Sequence, residues 1–450
     1  MKRSTAFLFC VIILSTCNCF ANNPQNQSGV NYAPSEARLE SVRDVEGIPE
    51  TLQDYLSYAA LNNAGLRAAF EQWRVAVEQV PQAKALPDPK FTYGYFIKEV
   101  ETRVGPQRQK FGIMQVFPWL GKIEARTDAA AAASRAARKR YDAKKLKLFY
   151  EVRDAFYEYI YLARAVGIAE ENLELIKHFE EVARTQYTAA TATHPDVIRA
   201  QVELAKLQDH LKTLEELRKP IVARLNAILN RRSFDILPWP QREDFRAVQI
   251  DRQQLIEILR MQNPELQALE FDTEAARNRI KLAQKKFWPD IGVGLDWIQT
   301  DRAIMSGTRD SGKDPLILMF TLDIPIWRDS YKAAELQAMA EVNRTLLHKT
   351  EIENNIIVRA ERALYDFEDS DRKIKLYGDV LVPKAEELLG ASETAYKAGT
   401  IDFLSLINAQ QKLLEFQLQY ERAVANNQQR LAELEMYVGT ELPIETKTGQ

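Results

Sequence analysis

Apolar residues recur every three or four positions over most of this chain. In residues 119–187, Leu146, Phe149, Val152, Phe156, Tyr159, Ala163 and Val166 form one such stripe, within a stretch that holds no proline and only two glycines, Gly121 and Gly167. That period predicts a helix. At 1.5 Å per residue it would run to about 100 Å, far beyond an ordinary globular helix. A returning arm carries Leu204, Leu207, Leu211, Leu214, Leu217, Ile221, Leu225 and Ile228, and a later arm carries Leu413, Phe416, Tyr420, Ala423, Leu431, Leu434 and Val438. Seams of this length need partner helices along them, as in a coiled coil.

The period drops to two in four short segments, 90–99, 108–117, 290–299 and 315–324, with Pro89, Pro118, Pro289 and Pro325 at or near their helix-proximal ends. They read as strands. Phe91, Tyr93, Tyr95 and Ile97 alternate with Thr92, Gly94, Phe96 and Lys98, and Ile291, Val293, Leu295 and Trp297 with Gly292, Gly294, Asp296 and Ile298. About ten tilted residues are what a strand needs to cross an outer membrane. Trp119, Trp288, Trp297 and Trp327 lie in or beside these segments, where aromatic residues mark a membrane interface or simply pack a helix-to-strand junction. Four strands cannot close a barrel, whose smallest membrane form has about eight, so several chains must contribute. Two would make a narrow barrel and three a more open one. A soluble periplasmic coiled-coil adaptor or scaffold would share the helical seams but would not need the strands.

The pattern is also duplicated. Asn63-Ala64-Gly65-Leu66-Arg67-Ala68 matches Asn263-Pro264-Glu265-Leu266-Gln267-Ala268 at an offset of 200 residues, and the register holds to Pro89 and Pro289, then Gly94 and Gly294. At an offset of 209, Tyr187 to Thr191 pairs with Tyr396 to Thr400, and Gln201 with Gln410. Two similar halves, 50–250 and 251–440, follow from this, each with a helical hairpin whose tip falls near 188–195 or 397–401. The expected fold class is therefore mainly α with a small β part: long antiparallel coiled-coil hairpins in a duplicated unit, with four strands per chain given to a shared barrel.

The ends of the chain change the picture. Lys2 and Arg3 precede an apolar run and Cys19-Phe20-Ala21 offers a cleavage site, so residues 1–21 read as an export signal. Cleavage there would remove all three cysteines, Cys10, Cys17 and Cys19, and with them any disulfide. The rival processing makes Cys17 or Cys19 a lipid-bearing N-terminus, since Leu14-Ser15-Thr16-Cys17 is close to a lipobox, although Thr16 is unfavourable there. Residues 22–49 and 441–450 read as irregular tails. Without Lys2 and Arg3, 58 basic residues face 63 acidic ones, a net charge of −5 that suggests no nucleic-acid partner. No Walker loop, GxSxG or HExxH is present, so an enzyme is not expected and no cofactor is implied. The four histidines, His178, His194, His210 and His348, show no metal-ligand spacing.

This arrangement resembles the TolC-like outer-membrane efflux family from about residue 52 to 439. Tyr396-Lys397-Ala398-Gly399-Thr400, followed by Leu406-Ile407-Asn408-Ala409-Gln410, is similar to the family's hairpin turn and helix start, and Tyr187 through Asp196-Val197 to Ala200-Gln201 is its first-half counterpart. Phe117-Pro118-Trp119-Leu120-Gly121-Lys122 looks like the strand-to-helix junction of members that serve heavy-metal exporters. The resemblance implies a homotrimer in outer-membrane lipid, with twelve strands in one barrel and a helical tunnel across the periplasm. It further implies a passive exit duct opened by a periplasmic adaptor (membrane fusion) protein and an inner-membrane transporter. It places adaptor contacts at Ala189, Ala190 and Thr191, and at Ala398, Gly399 and Thr400. The family's periplasmic gate maps onto Asp196, Tyr396, Ser405 and Asn408, so two acidic positions are neutral here, with Asp402 nearby. A weaker acidic ring is the consequence.

Overall fold

Residues 49–189, 192–241 and 248–442 are described by the computed structural model. The expected export signal, the three cysteines, nearly all of the N-terminal tail, most of the C-terminal tail, and Ala190 and Thr191 of the first tip lie outside them.

The first half runs α1 (Leu52–Asn62), α2 (Ala64–Lys84), β1 (Lys90–Val100), β2 (Gln107–Phe117), α3 (Lys122–Thr188) and α4 (His194–Leu229). The second repeats the order: α5 (Arg252–Gln262), α6 (Pro264–Lys285), β3 (Asp290–Thr300), β4 (Leu316–Asp323), α7 (Arg328–Leu376), α8 (Val382–Lys397) and α9 (Phe403–Val438). At 67 residues, α3 is about 100 Å long. Its buried Ala125, Ala129, Ala132 and Ala136 fall three and four apart, so helices can approach closely along its upper part.

Between α7 and α8 the chain makes one π-helical turn, Tyr377–Leu381. Pro383 has no N–H to donate to the carbonyl four residues back, and the wider turn accommodates that loss without ending the helix. Gly378 lies against Tyr420 of α9, where an added Cβ would sit 2.8 Å from the ring. The uniform apolar seam does not announce this irregularity.

Helix neighbours define a wall one layer thick. Near the strands the order is α2, α3, α6, α7, and further away it is α4, α3, α9, then α7 with α8. Thus α2 continues the column of α4, and α6 that of α9. The junctions are made by two asparagines that occupy equivalent places in the repeat. Asn63 caps α2 by accepting from the Leu66 N–H at 2.9 Å and donates its amide to the Ile228 carbonyl at 2.8 Å. Asn263 caps α6 in the same way and donates to the Tyr437 carbonyl at 2.8 Å. One side chain therefore satisfies an orphan group on each of two abutting helices.

The short helices α1 and α5 lie against this wall. α1 buries Tyr55, Leu56 and Ala59 in a core with Val152, Phe156 and Tyr159 of α3 and Leu225 and Leu229 of α4. Large apolar side chains buried in this way contribute up to about 2 kcal/mol each, which fixes the belt to the wall.

Candidate functional site

All four strands join one antiparallel sheet in chain order, β1-β2-β3-β4. Register places Tyr93, Phe111, Trp297 and Leu316 in one row, and Phe91, Ile113, Leu295 and Leu318 in the next. Because side chains alternate across a sheet, these rows share a face. That face is apolar and largely bare: Phe91 is 69% exposed, Phe320 73% and Leu318 61%. A patch of this kind has no place against water.

The opposite face is crowded and mixed, and it holds the charged residues. Its rows are Thr92, Gly112, Asp296 and Ile317, then Lys90, Met114, Gly294 and Met319. Asp296 is buried and paired with Lys110. Gly112 stands directly across from it, and a Cβ there would lie 2.3 Å from the Asp296 carboxylate. The local sequence pattern carries no signal for this pair beyond a glycine, Gly112, in the middle of β2.

Trp119 and Trp288 stack at the helix-proximal end of the sheet, with centroids 5.2 Å apart and planes 6° from parallel. Trp327 is exposed just before α7. Trp297 lies nine residues beyond Trp288, well along β3, and stacks on Phe111 at 5.4 Å. The four tryptophans therefore occupy two levels, not one.

At the other end of the wall the hairpin tips lean on one core, which includes Phe179 and Ala183 of α3, Val197 of α4, Leu389 and Tyr396 of α8, and Phe403 of α9. The second tip closes with the Gly399 N–H donating to the Tyr396 carbonyl and the Thr400 N–H to the Ala395 carbonyl. That is a Schellman ending, and Gly399 supplies the φ of +72° it requires. Ala398 caps α8, and Ala189 ends α3 at the first tip.

Of the residues assigned to the entrance, Asp196, Asp402 and Ser405 are already engaged within the chain. Asp196 accepts from the Thr193 hydroxyl at 2.7 Å in a capping box and pairs with Arg199 at 3.3 Å. Asp402 caps α9, accepting from the Ser405 hydroxyl at 2.6 Å and the Ser405 N–H at 3.0 Å. Those bonds, the hydroxyl's first, hold its carboxyl below the usual range, and Arg199 adds to the effect from the other tip. The Arg199 charge thus favours the ionised acids of both tips. Asn408 is exposed. Tyr396 is 4% exposed, edge-on to Phe403 at 5.4 Å, and its hydroxyl has no hydrogen-bond partner among the described residues. Burial, then the nearby Asp196 charge, pushes its phenol up.

Among the described residues no helix is long and apolar enough to cross a membrane, and no three His, Asp or Glu side chains are grouped to hold a metal ion. The bare face of the sheet is the surface suited to lipid. The profile of the family described as outer membrane efflux protein matches residues 55–231 and 255–440, one block in each half of the duplication. The chain belongs to that family. An outer membrane efflux protein with this fold is an exit duct of an efflux system. Relatives include nodulation protein T of Rhizobium leguminosarum bv. trifolii, 22% identical over 445 residues, covering 92% of this chain and 94% of that protein. The cobalt-zinc-cadmium resistance protein CzcC of Cupriavidus metallidurans is 19% identical over 403 residues, with 87% and 90% covered. Among solved structures, CusC superposes with a TM-score of 0.74 at 16% identity, covering 87% of this chain and 92% of that one.

Proposed function

We propose that three copies of this efflux protein close into one passive conduit, carrying cargo from the periplasm across the outer membrane. The observation that carries this reading is the open sheet. β1 and β4 each keep an edge that no strand among the described residues covers, on a sheet whose outer face is built for lipid. In a bilayer each unpaired backbone group costs several kcal/mol, so the edges must meet those of other copies. Two copies would give eight strands and a backbone diameter of roughly 16 Å, which side chains fill. Three give twelve strands and roughly 24 Å, leaving a bore.

The helical wall supports the same count. Four columns per chain, spaced 8–10 Å as packed helices are, make a twelve-column ring with an axis radius of roughly 17 Å. Such a ring has room for a duct but not for six further helices, so α1 and α5 lie outside. Trp119, Trp288 and Trp327 then mark the inner membrane interface and Trp297 the outer level. The tips, Ala189, Ala190 and Thr191 with Ala398, Gly399 and Thr400, offer small side chains to a helical adaptor that bridges to an inner-membrane transporter. Asp196, Tyr396, Asp402, Ser405 and Asn408 form the entrance that this adaptor opens.

Cysteine pairs across the proposed seam test the assembly. With one cysteine at Phe91, Tyr93 or Tyr95 and a second at Leu316, Leu318 or Phe320, at least one combination should give crosslinked dimers and trimers in outer-membrane fractions. Absence of crosslinks in all nine combinations, or a ladder continuing beyond three, would refute it.

A further inference from the structure

The wall has two chemically different sides. On one side, Arg252 and Arg260 of α5 reach Glu361 and Glu353 of α7, at 2.8 and 2.9 Å. On that side too, Lys139, Asp142 and Phe149 of α3 share a cleft with Gln262 at the end of α5. Positions 140, 144 and 147 of α3 point the other way, since each residue advances about 100° around the helix. There they share an open groove of about 890 Å³ with α6 and α7. If α1 and α5 are outside the tunnel, as the proposed trimer requires, this groove lines its bore.

The groove is unbalanced in charge. It carries Arg140, Lys144, Lys147, Arg279, Arg344 and Arg359, against Glu265, Asp272 and Glu341. Arg140 pairs with Asp272, and Arg344 with Glu341 at 2.7 Å. Lys144, Lys147 and Arg359 make no ion pair among the described residues. Counting Glu151, one turn further along α3, still leaves an excess of two positive charges per chain. Nearer the tips the cations that α4 and α9 bring beside α3 have acidic partners: Arg224 pairs with Asp154, Arg422 with Glu158 and Arg430 with Glu433. Lys144, Lys147 and Arg359 thus gather, unpaired among the described residues, at the level of the groove.

We infer that this level is an anion-attracting ring inside the duct, at which Lys144, Lys147 and Arg359 from each copy select for anionic solutes over free cations. This rests on the trimeric reading above. Three-fold repetition brings the excess to at least six charges facing one low-dielectric bore, where the potential reaches several kT and concentrates counter-ions. Long flexible lysine side chains suit transit, because they attract without the bidentate grip that would retain a carboxylate or phosphate. A free divalent metal ion would be held back at this level. An anionic complex of the same metal would not.

The test is the reversal potential of the purified full-length protein in planar bilayers under a potassium chloride gradient. The wild type should favour chloride. The triple variant Lys144→Glu, Lys147→Glu, Arg359→Glu should lower the chloride-to-potassium permeability ratio by about threefold or more, with the corresponding glutamine variant between the two. Both keep the tips unchanged, so entrance chemistry cancels in the comparison, and an unchanged conductance step shows that the duct is intact. Conducting channels with equal ratios in all three proteins would overturn the ring while leaving the duct standing. Failure to conduct of both the wild type and a Tyr396→Ala variant, whose entrance is open, would remove the duct and the ring with it.

Discussion

Replacing Leu295 with arginine is expected to remove the protein from the outer membrane. Leu295 sits midway along β3 on the apolar face, in a row with Phe91, Ile113 and Leu318. An arginine facing lipid near the midplane costs about 2–4 kcal/mol, and three copies raise that to roughly 6–12 kcal/mol per assembly. This is comparable with the whole stability of a domain. Met319 provides the control. It belongs to the neighbouring row at nearly the same depth but on the opposite face, beside Gly294. Met319→Arg would face the water of the bore and should reach the outer membrane at near wild-type levels. Density-gradient fractions and immunoblotting read both outcomes, and equal loss of the two variants would mean that the sheet's faces are assigned wrongly.

The second large effect is expected at the tips. Tyr396→Ala should open the entrance, raising single-channel conductance several-fold, because it deletes a buried ring from the core that holds the second hairpin against the first. Truncating a buried aromatic costs about 3–5 kcal/mol, more than a gate poised to be opened by a partner has in reserve. Tyr396→Phe should leave the closed state as it is, since the hydroxyl it removes is buried near Asp196 with no partner among the described residues. Asp196→Ala should have an intermediate effect through loss of the α4 cap and of Arg199's anchor, a cap of this kind being worth about 1 kcal/mol. Equal conductance of the alanine and phenylalanine variants at Tyr396 would place the closing interaction elsewhere.

The long helices, the four strands and the duplication are all visible in the sequence, because each follows from a local period or a self-match. Alternation at Phe91, Tyr93 and Tyr95 marks the lipid face without any structure. What escapes is everything made by residues distant in sequence. The Lys110–Asp296 pair joins positions 186 residues apart, and the tips of the two halves meet only through the core their hairpins share. The asparagine bridges belong to the same class. Asn63 and Asn263 are plain in the repeat as helix starts, but their second bond, to the end of another helix, depends on stacking that no period encodes. The cations at 135–147 are visible as a charge run, which ordinarily means a solvated face. Only the position of α5 separates Arg140, Lys144 and Lys147 from Lys139 and Lys145.

Electron cryo-microscopy of the detergent-purified protein, viewed along the helical axis, bears most directly on the three-copy duct. The expected particle has three-fold symmetry, with twelve strands and twelve helical columns around a common bore and α1 and α5 on its outside. A single chain, an eight-stranded dimer, or a particle with α1 and α5 inside the bore would contradict it.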